Sequence, residues 1–262
     1  MSEKTYHVPA VEKAVKIIQA LCESNTPLNL TQIAKTAETN NNMAYRILRT
    51  LQAQNWVIQE QPGPTYRMSL RPFHYASMPA SRTNLMMASS KPINDFWTEY
   101  GECCFLGVLD GDRVLYLEAL EQVSGPVKVS VNQGGRYVMH TAAPGKVLLA
   151  YNQETTEKLL AQGLERFTEN TICDPTEFKK ELAITLERGY ALDDEEGARG
   201  LICMAVPIFN FENEVVGSFG ISVLTANYKN IDEMLRILGD KVKAVGEEIS
   251  TSLGYVNNQD KA

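Results

Sequence analysis

The 262 residues predict an α+β, multidomain chain: an N-terminal head folded as a winged helix-turn-helix, a linker helix, and a larger body built on an antiparallel sheet. Three observations carry that reading. Residues 29–51 hold two apolar stripes at helical spacing around a short polar turn. Residues 56–68 hold two strand-like stretches around a Pro/Gly breaker. Beyond residue 90, strand pairs joined by tight turns alternate with helices, which suits an antiparallel sheet better than a doubly wound parallel one. The expected boundaries are 1–70 for the head, 71–89 for the linker helix and 90–262 for the body.

The head opens with a helix over about 10–22, with Val11, Ala14, Val15, Ile18 and Leu21 on one stripe. A second helix follows Asn29, a good N-cap, with Gln32 three residues on in capping-box position. Its apolar face is Leu30, Ile33, Ala34 and Ala37. Glu38-Thr39-Asn40-Asn41-Asn42 is short and polar, as the turn of a helix-turn-helix requires. The third helix starts near residue 40 or 41 and buries Ala44, Ile47, Leu48 and Leu51. Trp56-Val57-Ile58 and Thr65-Tyr66-Arg67-Met68 flank Gln61-Pro62-Gly63-Pro64 and form the wing. The linker helix is expected to start at Pro72, break near Pro79 and resume at Ser81. Its apolar and aromatic side chains suit a dimer contact or packing on the chain's own domains.

In the body, Ile93, Phe96, Trp97 and Tyr100 mark a helix. Residues 103–109 and 114–120 form a hairpin across Asp110-Gly111-Asp112, and 127–131 reads as a further strand. Helices are expected over 142–151, 154–162 and 174–188. Strands 202–206 and 215–224 flank the turn Asn210-Phe211-Glu212-Asn213-Glu214. The last helix starts near residue 230 and carries Ile231, Leu235, Leu238, Val242 and Val245.

Composition bounds what such a chain can be. A hydrophobic content of 44% is enough to bury real cores. No apolar run reaches membrane-spanning length, and the N-terminus runs into a helix pattern rather than a signal peptide. Five cysteines, odd in number and unevenly spaced, argue against a disulfide scaffold. A soluble, cytoplasmic protein is expected, with no membrane partner. Charge is divided: residues 1–90 carry nine Lys/Arg against five acids, while the remainder carries 16 against 27. A basic head on an acidic body suits a head that meets phosphate.

The third helix gives that partner a surface. Opposite its apolar stripe it shows Asn41, Asn42, Tyr45, Arg46, Arg49 and Gln52, with no Glu or Asp among them. Asn can bond adenine edges bidentately, Arg can do so to guanine, and either can hold phosphate. Lys13 on the first helix, Thr31 at the start of the second and Arg67 on the wing are candidate contacts to the DNA backbone.

Catalytic and metal chemistry finds little support. Gly145-Lys146 lacks the preceding glycine-rich cradle of a P-loop, with His140 where its first glycine would stand, so Lys146 reads as an ordinary helix residue. Cys103-Cys104 is not a CxxC pair, and His7, His74 and His140 are the only histidines, so buried strand cysteines are the better reading. Cys203 lies between apolar Ile202 and Met204, which would raise its pKa. Asp193-Asp194-Glu195-Glu196 could offer oxygen ligands to a divalent cation but reads better as a solvated acidic loop. His140 has no Ser or Cys nucleophile paired to it by motif. No catalytic residue, metal or cofactor is expected.

Four stretches of the body occur in a telling order: Met139-His140-Thr141-Ala142-Ala143-Pro144-Gly145-Lys146-Val147-Leu148-Leu149-Ala150, Arg188-Gly189-Tyr190-Ala191-Leu192-Asp193-Asp194-Glu195-Glu196, Gly200-Leu201-Ile202-Cys203-Met204-Ala205-Val206-Pro207, and Gly220-Ile221-Ser222-Val223. Behind a winged helix containing Tyr45-Arg46-Ile47-Leu48, they resemble the IclR family of bacterial transcriptional regulators, over about residues 8–253. The resemblance implies a GAF-like α/β effector-binding body, binding to double-stranded operator DNA as a dimer or dimer of dimers, and a small-molecule effector that alters that binding. It aligns Asn41, Met43, Tyr45 and Arg46 with operator-facing positions. The family pattern commonly has Ser-Thr where this chain has Asn42-Met43, a change that removes two hydroxyl donors and adds an apolar contact.

The implied effector pocket maps onto Ala143, Pro144, Asp193, Leu201, Cys203, Gly220 and Ser222. Ser222 offers a hydroxyl, Leu201 an apolar wall, and the glycine-containing turns backbone N–H groups. Pro144 adds no N–H, and Gly220 stands where a Ser is common. Asp193 would repel a carboxylate unless protonated or turned to a ligand hydroxyl, which favours a hydroxy acid or sugar acid. The expected function is a ligand-responsive regulator of a catabolic operon, its effector a small organic or sugar acid. The alternatives are a redox- or metal-responsive regulator with the same head, or an enzyme with an accessory winged helix.

Overall fold

The computed structural model of the chain describes residues 8–72, 74–75, 84–123, 129–228 and 230–256, and divides into two compact units, Met1–Ala80 and Ser81–Ala262. The expected break near Pro79 and restart at Ser81 lie outside the described residues.

In the first unit, α1 (Pro9–Glu23), α2 (Leu30–Thr36) and α3 (Asn41–Ala53) pack around Ile17, Leu21, Ile33, Ala34, Ala44, Ile47, Leu48, Val57 and Tyr66. The capping box at Asn29 forms, with its side chain accepting from Gln32 N and Gln32 accepting from Asn29 N. Asn40 caps α3 by accepting from Met43 N at 2.8 Å. Such caps contribute about 1 kcal/mol each by satisfying otherwise orphaned N–H groups. β1 (Leu28–Asn29), β2 (Val57–Glu60) and β3 (Thr65–Met68) form an antiparallel sheet ordered β1-β3-β2, whose β2–β3 hairpin is the wing.

In the second unit, a six-stranded, wholly antiparallel sheet is sandwiched between helices. Its strands are β4 (Cys103–Asp110), β5 (Arg113–Leu120), β6 (Arg136–Val138), β7 (Ala191–Asp194), β8 (Leu201–Phe209) and β9 (Val215–Leu224), ordered β6-β5-β4-β9-β8-β7. On one face, α4 (Asn84–Tyr100) and the C-terminal helices cover Leu106, Ile202, Met204, Phe219, Ile221 and Val223. Those C-terminal helices are α8 (Ile231–Met234), a π turn (Leu235–Gly239) and α9 (Asp240–Ser252). On the other face lie α5 (Ala143–Ala150), α6 (Gln153–Gln162) and α7 (Pro175–Arg188), packed over Cys103, Phe105, Val114 and Tyr116. Alternation along β4 and β9 explains the two faces, since successive side chains point opposite ways.

Four details depart from the sequence reading. Val11 and Val15, expected on the buried stripe of the first helix, are exposed, and the buried residues of that helix are Ile17, Ala20 and Leu21. α4 runs unbroken through residues 89 and 90, where the linker was expected to end. Residues 129–131 join no strand, and 127–128 lie outside the described residues. The edge of β5 at Tyr116 is instead taken by a turn: Tyr116 N donates to Gly135 O and Gly134 N to Tyr116 O. β7, unforeseen as a strand, places Asp193 and Asp194 in the sheet rather than in a loop.

Candidate functional site

The head offers one polar face. Asn41, Asn42, Tyr45, Arg46 and Arg49 are all exposed on α3, and Tyr45 keeps 46% of its surface open. The helix carries no acid in its first turn and none along its length. Asn40 in the cap fixes the start of α3, so these side chains leave the helix at defined angles. Thr31 is exposed at the opening of α2, and Lys13 is half-buried on α1. Two expected contacts are partly used elsewhere. Met43 packs against the head's core, because it lies one helical turn before Ile47 on the same face. Arg67 is paired across the wing with Glu60 at 2.6 Å and donates to Met68 O.

In the body, sheet register builds a second site. Asp193 on β7 lies opposite Cys203 on β8, Cys203 opposite Ser222 on β9, and Ser222 opposite Cys103 on β4. Cross-strand partners point to the same face, so four polar or thiol side chains form one row across the sheet, beneath α5. Asp193, Ser222 and Cys103 are buried, and Cys203 donates to Ser222 Oγ at 3.2 Å. Leu201 stands at the mouth of β8 and packs toward the same cluster. Ala143 packs with Ala191, Ala205 and Cys203, placing the start of α5 beside the row. That start has no side-chain cap on Ala142, and Pro144 contributes no N–H, which leaves first-turn N–H groups without a capping partner.

Gly220 is not part of an open wall. A Cβ there would meet Phe105 Cε2 at 2.4 Å, so the Phe105 ring already fills the space above it. Phe105 in turn stacks on Tyr116, with centroids 4.6 Å apart and planes 5° apart, and Tyr116 stacks on Tyr137 at 4.4 Å. Tyr137 Oη accepts from Asn132 N at 2.9 Å, which fixes the far end of the stack. No local pattern in the sequence signals this trio, since its members come from three strands.

Burial dominates the electrostatics. It pushes the Asp193 carboxyl up, against the backbone N–H groups of Glu196 and Gly197 that donate to its Oδ1 at 2.7 and 3.3 Å. It pushes Cys103 up to about 12 and holds Cys203 well above the ordinary thiol range. Neither sulfur is a ready thiolate, which disfavours oxidation chemistry at this row. All five cysteines are free, and among the described residues no group of three His, Cys, Asp or Glu side chains is placed to hold a metal.

Two sequence readings need correction. Lys146 is no ordinary helix residue: it is fully buried, its Nζ donating to Leu192 O at 2.8 Å and to Glu196 Oε1. A lone Lys within Ala143-Pro144-Gly145-Lys146-Val147-Leu148-Leu149 was the available signal. Nor is 193–196 a solvated loop, since Asp193 and Glu196 are both buried. Glu196 O accepts from Thr171 Oγ1 at 2.7 Å, and burial raises the Glu196 carboxyl to about 7 despite Lys146. His140 is buried too, its ring N–H donating to Glu165 O at 2.8 Å, and burial lowers its pKa.

With both sites described, comparison with known proteins supplies context. Residues 78–251 match the family model described as bacterial transcriptional regulator IclR C-terminal, and residues 10–61 match the IclR helix-turn-helix domain. The chain is 28% identical to the HTH-type transcriptional regulator XynR of Escherichia coli over 250 residues, covering 95% of this chain and 98% of XynR. It is 30% identical to the HTH-type transcriptional regulator BhcR of Paracoccus denitrificans, covering 95% and 88%. The crystal structure of the Thermotoga maritima IclR superposes with a TM-score of 0.76 at 27% identity, covering 95% of this chain and 100% of that one. These relatives are similar in full length and are named as regulators, not enzymes.

Proposed function

This chain belongs to the IclR family of bacterial transcriptional regulators, and from that premise we propose how its two sites divide the work. The head reads operator DNA through Asn41, Asn42, Tyr45, Arg46 and Arg49, with Lys13, Thr31 and Arg67 on the DNA backbone. The body binds a small hydroxy acid or sugar acid. Asp193 accepts from a ligand hydroxyl, Ser222 and Cys203 border it, and the ligand carboxylate meets the opening turn of α5, where N–H groups and the helix dipole favour an anion. The chain acts as a homo-oligomer, a dimer or dimer of dimers, on a catabolic operon in the cytoplasm.

The observation that carries this reading is the row Asp193–Cys203–Ser222 beneath α5, a carboxylate, a thiol and a hydroxyl on one face of the sheet, with Asp193 and Ser222 buried. Polar side chains gathered on one sheet face beneath a helix opening support a binding site better than an exposed cluster does. The test is a fluorescence-anisotropy titration of DNA from upstream of the chain's own gene, with and without hydroxy and sugar acids. Specific binding that survives competitor DNA and shifts with one acid supports both sites. Loss of the shift in Ser222→Ala with unchanged operator affinity places the ligand in the row. Specific binding that no acid shifts would remove the ligand class.

A further inference from the structure

The body holds a cleft of about 660 Å³ bordered by the end of α5, the end of α7, β8 and α9. None of Asp193, Cys203, Ser222 and Cys103 borders it, and its volume suits a small molecule. Its floor is closed, because α9 presses on β8: a Cβ at Gly246 would meet Val206 Cγ2 at 2.5 Å. Part of the wall is aromatic. Phe209 stacks on Tyr255, with centroids 4.9 Å and planes 20° apart, and Tyr151 meets Phe209 edge-on at 5.5 Å. Tyr151 still keeps 39% of its surface open, so packing has not used up this cluster. Another part of the wall is charged. Arg188 Cζ and Lys243 Nζ lie over the Tyr190 ring at 4.8 and 5.0 Å, so one ring holds two cations in place. Arg188 is already engaged, its Nη2 donating to Glu181 at 2.7 Å and its Nε to Tyr190 O at 2.6 Å. Lys243 is held only loosely, 3.6 Å from Asp240, whose side chain is 97% exposed. Glu247 follows Lys243 by one turn on the same face of α9, yet it makes no ion pair among the described residues.

We propose that this cleft is a second ligand site and that it takes an aromatic amino acid. The ligand ring joins Tyr151, Phe209 and Tyr255, while Lys243 meets its carboxylate and Glu247 its ammonium. An amino acid carries both charges on one carbon, and a cation and an anion one helical turn apart can meet the two together. Lys and Glu at this spacing ordinarily close on each other. Here Lys243 lies over Tyr190 instead, which leaves the Glu247 carboxylate for the ligand. Arg188 is a positioning residue, since it holds the ring on which Lys243 rests. The same walls set the specificity. An aromatic acid leaves Glu247 without its cation, an aromatic amine leaves Lys243 without its anion, and an aliphatic amino acid forgoes the ring contacts.

The test uses the full chain with L-phenylalanine, L-tyrosine and L-tryptophan. Three counterparts each lack one feature: 3-phenylpropionate the ammonium, phenethylamine the carboxylate and L-leucine the ring. Binding is read by thermal shift and by titration calorimetry in wild type, Lys243→Gln, Glu247→Gln and Ser222→Ala. We expect at least one aromatic amino acid to bind wild type more tightly than all three counterparts. Lys243→Gln and Glu247→Gln should each weaken it about fivefold, because both charges are partly open to solvent. Both substitutions lie at the surface, so the melting temperature without ligand should hold. Ser222→Ala should bind it as wild type does. No binding by any of the three amino acids would overturn the proposal. Equal binding of any counterpart would overturn the ligand class. Full binding in both α9 variants would overturn the cleft as the site, and weakening in Ser222→Ala alone would place the ligand in the row instead.

Discussion

At the scale of single residues, the most consequential pair in the body is Lys146 with Glu196. Two charges out of water are stabilising only while each compensates the other. Lys146→Met alone should therefore cost ~3–5 kcal/mol in chemical denaturation, and the double variant Lys146→Met/Glu196→Leu should recover most of it. The same carboxylate sets a pH dependence. Its folded pKa of about 7 lies above its ordinary value of 4.5, so the folded chain holds a proton there that the unfolded chain has released. That stability is complete below pH 4.5 and is lost as pH rises through 7. His140, lowered by burial, works oppositely, its contribution falling away as pH drops below its ordinary range. Denaturation curves of Glu196→Gln should decline less steeply between those pH values than wild type, keeping only the smaller contributions of the other buried carboxyls such as Asp193. An unchanged slope would mean that Glu196 stays ionised throughout. None of this was legible in sequence, because Lys146 and its partner are fifty residues apart.

At the scale of elements, α3 and Lys13 divide reading from holding. Arg46→Ala should weaken specific operator binding by ~1–3 kcal/mol and relax preference at one base position. Lys13→Ala should weaken all DNA alike and flatten the salt dependence. Competition titrations at several salt concentrations distinguish the two, and equal loss on every sequence for Arg46→Ala would remove it as a base reader. The second and third helices were legible because each has one buried face and a 3.6-residue period, with caps at Asn29 and Asn40 marking where they start. The apolar face of the first was misread, because Val11 and Val15 mimic a stripe that the core does not use. The body's hairpins were legible for a similar reason. β6 and β7 were not, being three and four residues long, with places fixed by remote partners. Strand spacing gave no sign of the row itself; the family resemblance pointed to Asp193, Cys203 and Ser222, and register then added Cys103.

At the scale of the whole molecule, the chain separates a basic reading unit from an acidic sensing unit. No described helix is long and apolar enough to cross a membrane. Large apolar side chains open to solvent occur on both units, Val11 and Val15 on α1 and Met87 on α4, and suit the homo-oligomer proposed above. On the proposed reading a signal starts at Asp193, which belongs to the row and also grips the turn after β7 through two amides. One carboxylate thus serves two clients. A molecule that draws on it must loosen or tighten its hold on those amides, so they become built-in reporters. Hydrogen–deuterium exchange at Glu196 and Gly197 should change on ligand addition even with no DNA present, and unchanged exchange there would mean Asp193 takes no part. On that reading the first event of regulation has an address of two peptide groups, observable before any larger movement.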